Sequence, residues 1–391
     1  MAALAVATFW CALVGWLLAR VLRQFRVHAG EAVAAIPPSA RMPSVQVIVP
    51  ARDEAAVIGG CLAALSAQAY PSDRLSFVVV DDDSRDDTAG RVREAAVADP
   101  RIALRATGAL PPGWPGKPHA CWRGADGASA DWFCFVDADV RADPLLLASA
   151  VRAAEAQQID LLSLQPFQEL GSLGERLVVP AGLLMVACAK DLRAIDDPAS
   201  PEANANGQFM LMRREAYEAT GGHAAVRAEI CEDRALARLA KRCGMRVRVL
   251  AAEHLARTRM YRDFASLWEG FSKNAVDIMG DTRRTVLVAA AGLLVGWATF
   301  LLPLGLALVA LHDETVWLGM ALALALAGSG VVVGVEIGTA RHLRVPPWQV
   351  ALFPAGFTLA AVLAWRSVRL RRRGGATWKG RELCRPVPGG S

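Results

Sequence analysis

Residues 45–54 read VQVIVPARDE, residues 75–84 read LSFVVVDDDS, and residues 132–139 read WFCFVDAD. In each stretch a short apolar run, rich in valine or phenylalanine, is followed at once by acidic side chains. Runs of this length and composition are typical of buried strands. Because the acidic residues follow the last apolar position each time, the three stretches predict strands with an acidic carboxyl-end edge.

Longer amphipathic segments alternate with these runs, and we expect them to be helices. The predicted strands are 45–49, 75–80, 101–105, 132–136, 160–164 and 209–212, and the predicted helices are 54–68, 86–98, 117–128, 144–157 and 231–244. Strand–helix alternation predicts an α/β domain with a mostly parallel sheet covered on both faces. Ligands of such sheets bind just beyond the carboxyl ends of the strands.

The composition indicates membrane segments. The chain has 391 residues, of which 54% are hydrophobic, and its mean hydropathy of +0.29 is unusual for a soluble protein. The 43 Lys and Arg only slightly exceed the 38 Asp and Glu, so no nucleic-acid partner is indicated. The eight cysteines form no Cys-x-x-Cys pair, which indicates neither a disulfide framework nor a zinc site.

Four stretches have the length and apolar character of membrane helices. Residues 286–311 and 315–335 are predicted to span the bilayer, because a crossing helix needs roughly 20 apolar residues. Residues 2–19 predict an uncleaved anchor within 1–26, with a signal peptide as the alternative. Residues 345–365 predict either a further span or a re-entrant element, because Pro354 and Gly356 lie inside them.

Arginines beside the apolar stretches predict the orientation. Arg20, Arg23 and Arg26 follow the first stretch, and Arg283 and Arg284 precede the second. Basic residues favour the inner side, so a multi-pass protein of a bacterial-type inner membrane is expected, with a cytoplasmic domain at 40–282. A C-terminal membrane region at 286–373 and a tail at 374–391 follow. If residues 345–365 crossed once, the arginines at 366–373 would lie outside, so this topology stays open.

The acidic clusters have the chemistry of a metal and nucleotide site. Asp137 and Asp139 flank one small residue, so in an extended segment both point to one side and can share Mg²⁺ or Mn²⁺. The aspartates at 81–83 can accept hydrogen bonds from a base and from ribose hydroxyls. The alternative is helix capping, by Asp53 for the first helix and by Ser84 or Asp86 for the next.

Further along, three positions carry candidate functional groups. Lys117 precedes a helix and can offer a cation to a phosphate or to a nearby carboxylate. Glu232 and Asp233 open a helix whose dipole would keep a carboxylate ionised, as a general base requires. The alternative for this pair is an ordinary acidic first turn.

Five motifs in this order resemble the family 2 inverting glycosyltransferases of GT-A (Rossmann-like) fold. They cover most of residues 45–250 and are Pro50-Ala-Arg-Asp-Glu54, Asp81-Asp-Asp-Ser84, Asp137-Ala-Asp139, Asn206-Gly-Gln208 and Glu232-Asp233. The segments Arg259-Met-Tyr-Arg262, Leu267-Trp-Glu-Gly-Phe-Ser-Lys-Asn274 and Trp378-Lys-Gly-Arg381 are similar to the membrane-bound subgroup that glycosylates carotenoids, hopanoids and other lipids.

The resemblance implies roles for these residues and a nucleotide-sugar donor, UDP-linked by analogy. Glu54 and Asp82 would bind the uridine moiety. Asp139 would be the principal ligand of Mn²⁺ or Mg²⁺, with Asp137 supporting it or contacting ribose. Asp233 would be the base and Glu232 would orient it or the sugar, while Arg259 would stabilise the departing diphosphate. The remaining predicted substrate contacts are Pro50, Ala51, Asp81, Asp83, Lys117, Gly207 and Gln208.

Two departures from the family pattern bear on function. Asp83 stands where many relatives have glycine, and no Gln-x-x-Arg-Trp motif follows Asp233, so one transfer is expected rather than polymerisation. The membrane segments indicate a lipid acceptor, and residues 177–189 predict a helix at the membrane surface or in the core. The alternatives are a processive polysaccharide synthase, a polyprenyl-phosphate sugar transferase, or an inactive scaffold that binds nucleotide. No protein partner is indicated.

Overall fold

The computed structural model describes residues 1–30, 32–39, 41–191, 193–197, 200–313, 315–373 and 375–384. The side chain of Arg26 lies outside this description. The strands are β1 Val45–Ala51, β2 Leu75–Asp81, β3 Ile102–Ala106, β4 Trp132–Val136, β5 Val140–Ala142, β6 Leu161–Gln165, β7 Phe167–Gln168, β8 Phe209–Arg213, β9 Val247–Ala251, β10 Ala256–Thr258, β11 Gly375–Trp378 and β12 Arg381–Cys384.

The helices alternate with the strands and extend beyond them. They are α1 Ala2–Gly30, α2 Ile58–Ser66, α3 Thr88–Ala98, α4 Gly116–Ala125, α5 Leu146–Ala156, α6 Leu173–Ala189, α7 Arg193–Asp196, α8 Arg214–Thr220, α9 Gly222–Ala225, α10 Glu232–Arg242, α11 Phe264–Met279, α12 Thr282–Ala310, α13 Val316–His342 and α14 Phe353–Arg372. Two short 3₁₀ helices lie at Ser72–Arg74 and at Pro347–Leu352.

The chain forms two compact units that each draw on several segments. The membrane unit comprises Met1–Val27, Leu170–Asp191 and Tyr261–Arg373. The sheet unit comprises His28–Glu169, Leu192–Met260 and Gly374–Ser391. The hairpin β11-β12 therefore belongs to the sheet unit, although α14, which precedes it in the chain, belongs to the membrane unit.

A seven-stranded sheet forms the centre of the sheet unit, in the order β3-β2-β1-β4-β8-β6-β9. β8 runs antiparallel to β4 and β6, and the other neighbours pair in parallel. The prediction of a mostly parallel α/β sheet is confirmed. Smaller sheets are formed by β5-β10-β7 and by the hairpin β11-β12.

Alternate residues of the strands pack into two separate cores. Val47 and Val49 of β1 lie in one buried cluster with Ile58 of α2. Ile48, between them, lies in a second cluster with Phe133 and other side chains. Both faces of β1 are therefore covered, and this is why its sequence is apolar at nearly every position rather than at every second one.

Helix α4 packs against β1 at Gly124. A Cβ atom there would lie 2.3 Å from Cγ2 of Ile48. We expect Gly124→Ala to destabilise the protein by about 1–3 kcal/mol, because the buried contact has no room for a methyl group. The thermal midpoint in detergent should fall for this variant. Gly59→Ala is the matched control, since no atom lies within 4 Å of a Cβ at that helical position, and an equal midpoint for both would contradict the expectation.

Four helical segments are long and apolar enough to cross a membrane: Ala2–Phe25, Thr282–Ala310, Val316–His342 and Pro347–Arg372. These segments coincide with the four apolar stretches of the sequence. Pro354 and Gly356 lie in the first turn of α14, where proline is tolerated, so neither interrupts the helix. The chain is thus a membrane protein by the length and composition of its helices.

Helix α6 is the segment predicted to lie at the membrane surface or in a core. Its first turn is closed by a capping box between Ser172 and Glu175. Leu184 and Met185 pack into the buried cluster that contains Phe357 of α14, whereas Leu183 is 44% exposed. One side of the helix therefore packs in the core of the membrane unit, whereas its location at a membrane surface stays a prediction.

Candidate active site

The acidic motifs lie together at one edge of the seven-stranded sheet. β1 and β2 pair in parallel with Ala51 opposite Asp81, and β4 pairs with the other side of β1. The segments that follow all three strands therefore leave the sheet at the same edge. Pro50 and Ala51 are themselves strand residues, and the carbonyl oxygen of Ala51 accepts a hydrogen bond from the backbone N–H of Asp82 at 2.8 Å.

Asp53 joins the first two acidic loops rather than capping a helix. Its backbone N–H donates to Oγ of Ser84 at 3.0 Å, and its Oδ1 accepts from the backbone N–H of Arg85 at 2.7 Å. The residue that precedes α2 is Val57, which makes no side-chain cap. The capping alternative is therefore wrong for Asp53 and for Ser84, because their side chains form hydrogen bonds between the loop after β1 and the loop after β2.

Asp86 does contribute to the start of a helix. Its Oδ1 accepts from the backbone N–H of Thr88, the first residue of α3, at 3.0 Å. Its Oδ2 accepts from the backbone N–H of Ala55 at 2.9 Å. The carboxylate therefore serves both the helix and the neighbouring loop, and these hydrogen bonds lower the pKa of Asp86 although burial opposes them.

The three aspartates that follow β2 have different surroundings. Asp82 is only 4% exposed. Oδ1 of Asp81 is buried without a hydrogen-bond partner, whereas Asp83 is exposed and has a φ of 56°. Glycine adopts a positive φ more easily than aspartate does, so the backbone at this position suits the glycine of the family pattern.

A C-terminal hairpin covers the same carboxylates, and the predicted site did not include it. Nζ of Lys379 lies 2.6 Å from Oε1 of Glu54, and Nη1 of Arg381 lies 2.7 Å from each carboxylate oxygen of Asp82. Burial raises the pKa of Glu54, and the charge of Lys379 opposes that shift. The only sequence signal for these contacts is the similarity of Trp378-Lys-Gly-Arg381 to the membrane-bound subgroup.

The segment Asp137–Asp139 is a turn. The backbone N–H of Val140 donates to the carbonyl oxygen of Asp137 at 3.1 Å, so the extended geometry expected for the two carboxylates is wrong. Oδ1 of Asp137 instead meets Nζ of Lys117 at 2.6 Å. Within the described residues, no three His, Cys, Asp or Glu side chains form a ready metal cluster.

Asp139 is nevertheless suited to a cation. Its Oδ1 is buried and has no hydrogen-bond partner. Burial, followed by the charge of Asp137, raises the pKa of Asp139 to about 7. A buried carboxylate oxygen without a partner beside a second carboxylate fits a hard divalent ion, which would relieve both the desolvation and the repulsion.

Asp233 is the second residue of α10 and is held by two backbone groups. The N–H of Gly207 donates to Oδ2 at 2.8 Å, and the N–H of Arg234 donates to Oδ1 at 2.7 Å. Burial, with the charge of Glu232, raises the pKa of Asp233 to about 6. The helix N-terminus was expected to keep this group ionised. Burial outweighs it, yet the carboxylate remains mostly ionised above pH 7.

Lys117 lies between Glu232 at the start of α10 and Asp137 after β4. Its Nζ lies 3.4 Å from Oε1 of Glu232, in addition to its contact with Asp137. Although burial disfavours the charge, the two carboxylates hold the pKa of Lys117 well above its usual value. Of the two expected partners, a phosphate or a carboxylate, the structure contains the carboxylates.

Gln208 is held in a small amide network. Its Oε1 accepts from Nε2 of Gln168 at 2.9 Å and from Nδ2 of Asn206 at 3.0 Å. Its own Nε2 is buried without a partner and remains available as a donor. Gln168 was absent from the predicted site because it comes from β7, far away in sequence. Arg259 directly follows β10, in the same unit as these residues.

A family model described as "Glycosyltransferase like family 2" matches residues 43–275. The chain belongs to this family. Over 271 residues the glycosyltransferase is 31% identical to 4,4'-diaponeurosporenoate glycosyltransferase of Staphylococcus aureus (strain MRSA252), covering 68% of this chain and 69% of the relative. The protein of that name from strain USA300 is 28% identical over 345 residues, covering 87% of this chain and 88% of the relative.

A solved structure supports the fold of this glycosyltransferase. Mannosyltransferase PcManGT from Pyrobaculum calidifontis, determined with GDP-Man and Mn²⁺, matches with a TM-score of 0.53 at 19% identity. The match covers 93% of this chain and 99% of the mannosyltransferase. The predicted family and the predicted GT-A fold with terminal membrane helices are therefore confirmed.

Proposed function

We propose that this glycosyltransferase transfers one hexose from a nucleotide sugar to a hydroxyl group of a carotenoid-type membrane lipid, with inversion. The observation that carries the proposal is the buried carboxylate of Asp233, fixed by the N–H groups of Gly207 and Arg234. The two hydrogen bonds hold this carboxylate in one orientation, and its raised pKa lets it accept a proton close to neutral pH, as a general base requires.

The donor site in this proposal is the acidic edge of the sheet. Glu54 and Asp82 accept hydrogen bonds from the nucleoside, uridine by analogy with the family. Asp139, supported by Asp137, holds a divalent cation, Mn²⁺ or Mg²⁺, that offsets the charge of the diphosphate when bound. The remaining proposed donor contacts come from the same edge and from the loop before β8: Pro50, Ala51, Asp81, Asp83, Lys117, Gly207, Gln208 and Arg259.

The proposed reaction is a single displacement at the anomeric carbon. The acceptor oxygen attacks from the face opposite the diphosphate, a new C–O bond forms, and the bond to the leaving diphosphate oxygen breaks with its electron pair. Oδ1 or Oδ2 of Asp233 takes the acceptor proton. Glu232 keeps Lys117 close to the base, and the positive charge of Lys117 keeps Asp233 from becoming more basic.

The chemistry of the base bears on the acceptor. The names of the relatives contain a carotenoid acid. From these names we propose for this chain only that its acceptor is a lipid of the carotenoid class. A carboxylate acceptor is already ionised at neutral pH and needs no base, whereas a hydroxyl must lose its proton as it attacks. The buried Asp233 therefore favours a hydroxyl acceptor.

We further propose that the catalytic part faces the cytoplasm of a bacterial-type inner membrane. Arg20 and Arg23 lie in the C-terminal half of α1, and Arg283 and Arg284 lie in the first turn of α12. Basic residues at these positions favour the inner side for the chain between them. A donor made in the cytoplasm would then reach the site without crossing the bilayer.

The proposed function is tested with membranes that contain the full chain. They are incubated with labelled UDP- and GDP-hexoses, Mn²⁺, and hydroxylated or carboxylated carotenoids, and the organic phase is analysed. Label in one discrete lipid, lost with a chelator, is the expected result. Label in an insoluble polymer would favour a synthase instead. Nucleotide binding without transfer to any of these acceptors would contradict the proposal.

The pH dependence follows from the pKa of Asp233, which is raised to about 6. The base acts when deprotonated, so kcat/KM should be level above about pH 7 and fall about tenfold per pH unit below 6. The profile is measured from pH 5 to 8 at a saturating concentration of Mn²⁺, with thermal midpoints at each pH to exclude unfolding. A level profile down to pH 5 would contradict the assignment of the base.

A further inference from the structure

The hairpin β11-β12 belongs to the sheet unit and lies on its acidic edge. Trp378 pairs with Arg381, so Lys379 and Gly380 form a two-residue loop, and both have positive φ angles, 46° and 74°. This is the signature of a type I′ hairpin. Glycine is well suited to the second loop position, whereas lysine is unfavourable at the first, so the contacts of Lys379 have to offset a strained backbone.

These contacts satisfy carboxylates that have few other partners. Nζ of Lys379 bonds to Glu54 and, at 2.6 Å, to the carbonyl oxygen of Arg52. Nη1 of Arg381 bonds to both oxygens of Asp82, and its Nη2 lies 3.2 Å from Asp83. A carboxylate as buried as Asp82 is costly to keep ionised without a cation beside it.

We propose that the hairpin at 375–384 is a part of the donor-binding site, in which Lys379 and Arg381 are positioning residues that orient Glu54 and Asp82 for the nucleotide. This inference rests on the proposed function. The cluster of carboxylates at this edge would repel an anionic nucleotide diphosphate. Two fixed cations offset that repulsion and hold Glu54 and Asp82 in place.

The contacts of α14 agree with this placement of the hairpin. Helix α14 runs antiparallel to α12, because the rings of Phe353 and Phe300 lie 5.5 Å apart at one end and Arg371 pairs with Asp277, just before α12, at the other. The C-terminal end of α14 therefore lies on the side where α12 begins. Its terminal arginines are then on the inner side, as basic residues prefer, and the hairpin that follows can reach Glu54 and Asp82.

The kinetic test compares Lys379→Ala, Arg381→Ala and Arg381→Lys in the full chain. Both alanine variants should raise the donor KM about 10- to 100-fold, as expected for loss of a hydrogen bond to a charged group, with kcat changed less than about threefold. Arg381→Lys should recover most of the loss, because one nitrogen of Arg381 contacts both oxygens of Asp82. The matched control is Arg91→Ala, which removes an exposed cation paired with Glu94 on α3.

Calorimetry with UDP and GDP alone separates this inference from the proposed function. Weaker nucleotide binding in the alanine variants supports the inference even if no acceptor is glycosylated. Tighter binding, or a lower donor KM, would show that the hairpin competes with the donor and would overturn it. Unchanged binding and KM would likewise overturn it.

The topology has its own measurement. A cysteine introduced by Ser391→Cys, in a background whose native cysteines are replaced, is labelled with a membrane-impermeant maleimide in intact cells and in inverted vesicles. The expected result is labelling on the same side as a second reporter, Val97→Cys, at an exposed position of α3. Labelling on opposite sides would mean that the hairpin cannot reach Glu54, and the inference would fail.

Discussion

Asp233→Asn is expected to lower kcat by about 10²- to 10⁴-fold while leaving the affinity for the donor within about twofold. Asparagine has the same shape, and its carbonyl oxygen can still accept a hydrogen bond from Gly207 or Arg234. It cannot accept the proton of the acceptor hydroxyl. Turnover is measured with labelled donor and the lipid acceptor, and donor affinity by calorimetry.

The control for this substitution is Asp126→Asn, which changes an exposed carboxylate that pairs with Arg123 at the end of α4. Its turnover should equal that of the unaltered protein. If Asp233→Asn retained full turnover, the acceptor would reach the site already ionised. That outcome would favour a carboxylate acceptor over the hydroxyl that we propose.

Asp139→Ala is expected to abolish the part of donor binding that depends on a divalent cation. Oδ1 of Asp139 is buried without a hydrogen-bond partner, so a cation can bind this oxygen without displacing another group. Removing one member of a buried charge pair costs about 3–5 kcal/mol, which corresponds to about 100- to 4,000-fold in affinity. The measurement is the binding of Mn²⁺ itself, with and without UDP, by electron paramagnetic resonance.

The two substitutions together test the division of roles. Asp139→Ala should lose Mn²⁺ binding, whereas Asp233→Asn should bind Mn²⁺ and donor normally and lose only turnover. Equal loss of donor affinity in both would contradict separate metal and base functions. Undiminished Mn²⁺ binding by Asp139→Ala would move the metal site away from this residue.

The sequence by itself determined the architecture of the sheet unit. Apolar runs such as Val45–Ala51 are buried on both faces, and this requires helices on each side of a parallel sheet. Acidic residues directly after such runs must leave the sheet at its carboxyl edge. The apolar stretches sufficed to predict the membrane helices, because these depend on local composition, and the order of the five motifs carried the resemblance that predicted the family.

Only the tertiary structure decided how the site residues are paired. Asp137 turns toward Lys117 rather than lying extended beside Asp139, and burial rather than the helix N-terminus sets the direction of the pKa shift of Asp233. Lys379 and Arg381 reach carboxylates that precede them by about 300 residues in the chain. Such contacts depend on which distant segments meet and on how much water they exclude, and neither quantity is encoded in the spacing of neighbouring residues.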